Sequence, residues 1–280
     1  MDAVILLNKP AGMTSFDAVA KCRRIFHERK IGHTGTLDPE ASGLMIILLG
    51  KYTKLLPYCV KNHKAYQATL KLGEMTDTED IWGTIINTKI PSIHTEAEID
   101  NAVQSLTGDI LQVPPMYSAL KKDGKKLYEY ARQGIEIERE ARPVHISTLE
   151  VEKIDETNYR MNAVVSSGTY IRTLITDFGK QLDELAIMSS LIRTKIEHLS
   201  LKDACTFEDL ESGVSFLSPI KVIDPTYKIV ETDRVVDIKN GKRIKLDIRD
   251  PQVIFTSNGE LLAAYALQED GLYHCLRGLF

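Results

Sequence analysis

The sequence has few cysteines and no long apolar run. Its four cysteines lie far apart and form none of the close pairs typical of zinc sites or redox motifs: Cys22, Cys59, Cys205 and Cys275. No apolar stretch approaches the roughly 18 residues of a membrane span, and the N-terminus lacks the basic segment and apolar core of a secretory signal. These absences indicate a cytoplasmic protein with reduced thiols, no structural metal and no membrane partner.

Charge is unevenly distributed along the 280 residues, whose net charge is −4. Residues 1–70 carry ten Lys/Arg and five Asp/Glu, and residues 114–134 carry five Lys/Arg and two Asp/Glu. Residues 71–112, in contrast, carry two Lys/Arg and eight Asp/Glu. A basic stripe is typical of phosphate binding, even on a weakly acidic protein. Any single basic cluster is also compatible with a solvated helix face.

One loop combines glycines, small hydroxyl residues and a single central carboxylate. It reads Gly32-His33-Thr34-Gly35-Thr36-Leu37-Asp38-Pro39-Glu40-Ala41-Ser42-Gly43. The apolar run 44–49 that follows predicts a buried strand. Asp before Pro is ordinary turn chemistry, but loops held by a rigid scaffold also carry catalytic residues. With a basic segment at 21–30, Asp38 is a candidate for chemistry on a polyanion.

Four further segments occur with this loop in a fixed order. They are Asn8-Lys9-Pro10-Ala11-Gly12-Met13-Thr14-Ser15, then Lys64-Ala65-Tyr66 with 72–83, then Pro115–Lys121 with Gly124–Gly134, and Ser167-Gly168-Thr169-Tyr170-Ile171-Arg172-Thr173-Leu174. Together the five segments resemble the motifs of the tRNA pseudouridine synthase B family, and the loop resembles its active-site motif.

The resemblance implies an isomerase that converts the T-loop uridine at tRNA position 55 to pseudouridine. Asp38 would be its catalytic nucleophile, acting on a uridine flipped out of the RNA. The implied partner is the T-arm of tRNA, without DNA, guide RNA, metal or cofactor, and the implied state is a monomer. A tRNA-binding folding factor without catalysis on the same scaffold is the alternative.

The resemblance also assigns roles to residues that contact the substrate. Arg172 would lie beside Asp38, Tyr66 would stack on the target uracil, and Tyr170 would contact the flipped nucleotide. Leu191 would close the pocket, and His33 would fill the space that the base leaves. Taken alone, each of these residues is also compatible with an ordinary structural position, and Lys9 is interpreted as structural.

Interleaved strands and helices predict an α+β fold, with a mixed, mainly antiparallel pseudouridine-synthase-like sheet and flanking helices. Prolines near 219–227 predict a boundary between a catalytic domain, residues 1–224, and a small domain, residues 225–280. Short strands and an Asn258-Gly259 hairpin signal in the second domain indicate a small β-barrel. By its position in the family, this domain resembles the PUA RNA-binding module.

Overall fold

The computed structural model describes all 280 residues. The strands are β1 (Ala3–Lys9), β2 (Ile31–His33), β3 (Ser42–Leu49), β4 (His63–Leu72), β5 (Glu74–Thr76), β6 (Ile85–Thr88), β7 (Gly108–Gln112), β8 (Lys121–Lys122), β9 (Lys125–Lys126), β10 (Arg142–Lys153), β11 (Asn158–Ser166), β12 (Ala186–Ile196), β13 (Leu199–Ser200), β14 (Lys228–Glu231), β15 (Gln252–Ser257), β16 (Glu260–Leu267) and β17 (Tyr273–Gly278). The α-helices are α1 (Ser15–Phe26), α2 (Glu96–Ser105), α3 (Leu127–Ala131), α4 (Ile171–Gln181), α5 (Phe207–Ser212) and α6 (Val235–Lys239). Short 3₁₀ segments cover Gly50–Tyr58, Leu201–Asp203 and Pro219–Val222. None of the helices has both the length and the apolar character needed to cross a bilayer.

The chain divides into two compact units. The first unit comprises Met1–Lys61 and His198–Phe280, and the second comprises Asn62–Glu197. In the first unit, β1 and β2 both pair antiparallel with β3. Seven of the eight residues of β3 are buried, which explains its continuous apolar sequence.

Helix α1 shows why the beginning of the chain folds as it does. A capping box closes its N-terminus, because the Thr14 hydroxyl accepts from the Asp17 N–H while the Asp17 carboxylate accepts from the Thr14 N–H. The buried side chains of α1 recur at helical spacing: Ser15, Ala18, Val19 and Cys22. The sequence predicts a helix from Phe16 to about His27 with Thr14 or Ser15 as its N-cap, and the structure confirms the helix and the Thr14 cap.

The C-terminal strands of the first unit form a four-stranded open sheet in the order β14-β15-β16-β17. The predicted hairpin joins β15 to β16 through Asn258 and Gly259, whose φ angles are +50° and +78°. Phe255 and Tyr265 pack edge to face in its core, with ring centroids 5.0 Å apart. The sheet is not closed, so the predicted barrel is not confirmed, and the boundary at residue 224/225 stays a prediction.

The second unit contains a five-stranded antiparallel sheet in the order β12-β4-β11-β10-β7. Helix α4 presents an apolar face whose buried members include Ile171, Leu174, Ile175 and Phe178, as its spacing predicts. The mixed α+β class with a mainly antiparallel sheet is therefore confirmed.

Two parts of the second unit differ from the sequence-based prediction. The pattern did not predict β12, because register shifts at Met188/Ser190 and Arg193/Lys195 break its alternation. The spacing of Leu127 and Tyr130 predicts a helix over 124–133, but the helix in the structure covers only Leu127–Ala131. Asp123-Gly124, with φ of +52° and +81°, instead makes a tight turn between β8 and β9.

Candidate active site

Asp38 lies on the loop between β2 and β3, and the backbone on both sides of it is held by hydrogen bonds. The buried Ser15 hydroxyl accepts from the Leu37 N–H at 2.9 Å and donates to the Leu37 carbonyl at 3.1 Å. The Pro39 carbonyl accepts from the Gly12 N–H at 3.1 Å and from Lys9 Nζ at 3.0 Å. The half-buried carboxylate of Asp38 is thereby presented from a fixed backbone.

Lys9 is the side chain that joins the opening segment to this loop. It is fully buried, and its Nζ donates to the carbonyls of Pro10 at 2.8 Å, Met13 at 2.7 Å and Pro39 at 3.0 Å. A buried ammonium is stable only when polar groups replace its hydration. Lys9 therefore binds backbone oxygens, in agreement with the structural role predicted for it.

We expect Lys9→Met to lower the free energy of unfolding by about 2–4 kcal/mol, because it leaves the carbonyls of Pro10, Met13 and Pro39 without their charged donor. Urea denaturation measures this loss. The matched control is Lys21→Met, which removes a partly exposed ammonium 3.9 Å from Glu211 and should cost less than about 1 kcal/mol. Equal losses in the two variants would contradict the structural role of Lys9.

His33 ends β2 in the same unit as Asp38, paired in register with Ile47 of β3. Its side chain is partly buried, and its Nδ1 is enclosed by protein. The structure thus places the imidazole at the beginning of the Asp38 loop rather than on an open surface.

Arg172 lies in the first turn of α4, in the second unit, and is only 5% exposed. Its Nη1 donates to the Thr78 carbonyl and its Nη2 donates to the Tyr117 carbonyl, both at 2.8 Å. Asp80 Oδ2 lies 3.8 Å from Nη1. Arg172 is therefore a buried, geometrically fixed cation and not a helix-surface arginine.

Asp80 is a residue of this site that the sequence analysis did not single out. Besides facing Arg172, its carboxylate accepts from the Thr78 hydroxyl at 2.6 Å and from the Trp82 N–H at 3.1 Å. Gly83 completes this turn, since a Cβ there would lie 2.2 Å from Thr78 Oγ1. The position of Asp80 within the second motif was the available signal.

Tyr170 directly precedes α4 and is held through its backbone. Its N–H donates to Gln112 Oε1 at 2.8 Å, and its carbonyl accepts from Gln112 Nε2 at 3.2 Å. Gln112 is buried at the end of β7. This clamp fixes the start of α4 and leaves the Tyr170 ring half-buried. Nothing local in the sequence around Gln112 indicates this role.

Tyr66 and Leu191 lie on one face of the sheet in the second unit. Tyr66 of β4 pairs with Arg193 of β12, and Ala68 of β4 pairs with Leu191. Because alternate residues of a strand share a face, Tyr66, Leu191 and Arg193 point to the same side. Arg193 and Leu191 are buried, and Tyr66 is half-buried.

Lys64 precedes Tyr66 on the same strand and face. Its Nζ donates to Ser167 Oγ at 3.1 Å. Burial, assisted by the charge of Arg193, lowers the pKa of Lys64 to about 8. The Lys64 ammonium therefore loses its proton as the pH rises through about 8, and the positive charge beside Tyr66 falls with it.

The predicted site residues are thus divided between the two units. Asp38 and His33 share a loop of the first unit, while Tyr66, Tyr170, Arg172 and Leu191 belong to the second unit. No group of three or more His, Cys, Asp or Glu side chains is arranged to hold a metal ion. The first unit thus carries a fixed carboxylate, and the second carries a buried guanidinium and aromatic rings.

Comparisons with known proteins identify several similar proteins of one name. The chain is 40% identical over 280 residues to a tRNA pseudouridine synthase B from Oceanobacillus iheyensis, covering 95% of this chain and 92% of that protein. It is 42% identical over 287 residues to the protein of that name from Geobacillus thermodenitrificans, covering 95% and 94%. With the Mesoplasma florum protein, identity is 37% over 280 residues, covering 98% and 97%.

Solved structures share the fold. A chain in a crystal structure of a Cbf5-Nop10-Gar1 complex superposes with a TM-score of 0.71 at 25% identity, covering 99% of this chain and 85% of that one. A chain in a structure of an H/ACA RNP bound to a substrate RNA gives 0.70 at 22% identity, covering 99% and 84%.

The antiparallel α+β fold and the carboxylate-bearing loop define a pseudouridine synthase, an isomerase that converts uridine to pseudouridine. The model of the TruB family pseudouridylate synthase N-terminal domain matches residues 23–171. The chain belongs to the TruB family.

Proposed function

We propose that this protein isomerises the T-loop uridine at position 55 of tRNA, with Asp38 as the nucleophile. The observation that carries the proposal is the Asp38 loop, whose flanking residues Leu37 and Pro39 are held by four hydrogen bonds from the opening segment. Relatives that match nearly the whole chain are named tRNA pseudouridine synthase B, which supports tRNA as the substrate.

The reaction breaks the glycosidic N–C bond, turns the uracil and rejoins it through carbon. No group enters and no electron is exchanged, so a carboxylate nucleophile and a base for the ring proton are sufficient. Asp38 supplies the carboxylate. A backbone held at Leu37 and Pro39 limits how far the carboxylate moves, which favours attack from a defined direction.

The other side chains have proposed roles around this carboxylate. Arg172 orients the ionised Asp38, Tyr66 stacks on the uracil and assists removal of its proton, and Tyr170 contacts the flipped nucleotide. Leu191 closes the pocket against water, and His33 fills the space left in the RNA. The buried guanidinium and the shared face of Tyr66 and Leu191 support these assignments.

Substrate binding requires extrusion of the uridine from the folded T-loop, at a cost of about a few kcal/mol. Contacts to phosphates offset that cost. We assign them to basic segments within 1–70 and 114–134, with residues 225–280 as an additional PUA-like RNA-binding domain. The protein acts in the cytoplasm as a monomer on the T-arm itself, without a guide RNA.

The direct test is tritium release from a tRNA transcript labelled at uracil C5, followed by mapping of the modified nucleotide. We expect release from one uridine, at position 55, and none from a transcript in which that uridine is replaced by cytidine. Release from another position, or from neither transcript, contradicts the proposal.

Substitutions at Tyr66 separate stacking from proton transfer. Tyr66→Phe keeps the ring face, so we expect unchanged RNA affinity and a kcat lower by about tenfold. Tyr66→Ala should also weaken binding, since one base–aromatic stack is worth about 1–3 kcal/mol. Single-turnover kinetics and filter binding measure the two effects.

Tyr159→Phe, at a fully buried tyrosine of the same sheet, is the control and should match wild type. Identical behaviour of the Phe and Ala variants of Tyr66 would exclude stacking.

A tRNA-folding activity that needs no catalysis is the second function we propose, because the same RNA-binding surfaces would serve it alongside the isomerisation. The observation in its favour is that the basic segment 114–134 is distant in sequence from the Asp38 loop. It differs in its response to Asp38→Asn. A folding factor keeps its effect on tRNA refolding in that variant, whereas a synthase loses turnover.

A further inference from the structure

Three consecutive residues of the second motif contact the first turn of α4. The Thr78 carbonyl accepts from Arg172, and the Asp80 carboxylate faces the same guanidinium. Between them, Glu79 Oε2 accepts from the Thr173 hydroxyl at 2.7 Å. Glu79 therefore contacts the residue next to Arg172, on the same helical turn, and no role assigned above uses this contact.

The backbone of Glu79 is held in an uncommon conformation. Its φ is +65°, in the left-handed region that side chains other than glycine, asparagine and aspartate rarely adopt. Its carbonyl accepts from the Met188 N–H at 3.1 Å, and the Ile81 N–H donates to the Met188 carbonyl at 2.9 Å. Strain of this kind persists where the surrounding structure fixes it, and such positions cluster at functional sites.

The partner of Glu79 is equally constrained. Thr173 is buried, and its helix has no side-chain cap at Tyr170, so the first turn of α4 depends on contacts from other segments. Gln112 holds the Tyr170 backbone at that turn. A carboxylate near a helix N-terminus is also favoured by the helix dipole. Glu79 thus supplies a carboxylate acceptor for the Thr173 hydroxyl in a first turn that has no side-chain cap.

Four groups of α4 act on the Glu79 carboxylate. Burial raises its pKa above the usual range. The Thr173 hydrogen bond and the Arg172 charge oppose that rise, Asp177 adds to it, and Lys180 opposes it. Within the second motif, the acid next to Glu79 is Asp80, whose carboxylate faces Arg172.

We propose that Glu79 and Thr173 form a positioning pair that sets the direction of the Arg172 guanidinium. The hydrogen bond fixes the rotation of the first turn of α4, and that rotation decides whether Arg172 reaches the carbonyls of Thr78 and Tyr117 together. The inference rests on the proposed function, in which Arg172 orients the Asp38 carboxylate. Glu79 itself does not touch the substrate.

The test compares Thr173→Val, which removes only the hydroxyl at nearly constant volume, with Thr173→Ser, which keeps it. We expect Thr173→Val to lower kcat about tenfold above the pKa of Glu79, because the first turn of α4 then holds the Arg172 guanidinium less precisely, and small displacements of a positioned group cost about ten- to a hundredfold in rate. KM should stay within about twofold, because phosphate contacts determine binding. Thr173→Ser should restore wild-type kinetics.

The pH dependence separates positioning from a general structural loss. As the pH falls through the raised pKa of Glu79, the wild type loses its charged acceptor, so the ratio of wild-type to Thr173→Val kcat should shrink. Unchanged kcat in Thr173→Val would overturn the inference, as would equal kcat in Thr173→Ser and Thr173→Val.

Glu79→Gln provides a second route if Thr173→Val does not fold. A folded-state pKa raised by burial contributes stability below the unfolded pKa, and this stability is lost as the pH rises through the folded pKa. At neutral pH the ionised carboxylate therefore costs stability. We expect Glu79→Gln to be at least as stable as wild type in urea, with a kcat lower by about threefold. Its kcat should no longer change with the titration of residue 79, because the amide does not ionise.

Glu74→Gln is the matched control, because Glu74 of β5 pairs with Lys71 of β4 and its loss should leave kinetics unchanged. A Glu79→Gln variant with wild-type kcat and pH profile would overturn the inference while leaving the proposed function intact. A wild-type protein without turnover would overturn both.

Discussion

Replacing Asp38 by Asn is expected to abolish pseudouridine formation and to leave RNA binding nearly intact. The amide has the shape of the carboxylate, so the loop held at Leu37 and Pro39 should keep its backbone, but the amide is not a nucleophile. Loss of a nucleophile costs about four orders of magnitude or more in kcat. Phosphate contacts supply the affinity, which should therefore change by less than about tenfold. Single-turnover tritium release and filter binding measure the two quantities.

Glu40→Gln is the control for this experiment. Glu40 belongs to the same loop and carries the same charge, two residues beyond Asp38, and its loss should leave kcat within about twofold. Turnover near the wild-type rate in Asp38→Asn would remove Asp38 from the mechanism. A similar loss in both variants would show that the loop needs negative charge in general rather than a nucleophile.

Replacing Arg172 by Lys is expected to lower kcat by about a hundredfold while KM changes little. The guanidinium reaches the carbonyls of Thr78 and Tyr117 at the same time, each at 2.8 Å. An ammonium keeps the charge, but one nitrogen cannot occupy both positions. The lysine side chain is therefore not held in the direction that the two bonds give the guanidinium, and misplacement of a positioned group by about 1 Å can cost about a hundredfold in rate.

Arg160→Lys is the matched control, since Arg160 forms an exposed pair with Glu152 at 3.1 Å in the same unit. An exposed pair contributes little, so its kinetics should match wild type. Full activity in Arg172→Lys would show that the planar geometry of Arg172 is not required. Equal losses of urea stability in the two lysine variants would show that burial of Arg172 carries no energetic weight.

Elements with local causes were predicted well. Helix α1 follows from a capping box and a helical spacing of apolar residues, all within fourteen residues of sequence, and the β15–β16 hairpin follows from Asn258-Gly259. Such features depend on hydrogen bonds between residues a few positions apart, so the chain around them is sufficient. Family membership likewise rested on five short motifs and is confirmed.

Elements with long-range causes were not predicted. Strand β12 forms by pairing with the edge of β4. Its two register shifts interrupt the alternation of apolar and polar residues that predicts a strand. The contact of the second-motif acid Asp80 with Arg172 was not predicted either, because it forms only where α4 packs against that motif. The catalytic and substrate-contact roles of Asp38, His33, Tyr66, Tyr170, Arg172 and Leu191 stay predictions.

The sequence by itself determined the candidate chemistry, because the residue types of the motifs and their order specify a carboxylate loop, an arginine and a tyrosine. The tertiary structure decided how these groups are held. Lys9 meets Pro39 across 30 positions, Gln112 meets Tyr170 across 58, and Arg172 meets Thr78 across 94. No local pattern encodes such partners, since a buried donor takes whichever carbonyl the packing of distant segments brings within hydrogen-bond distance.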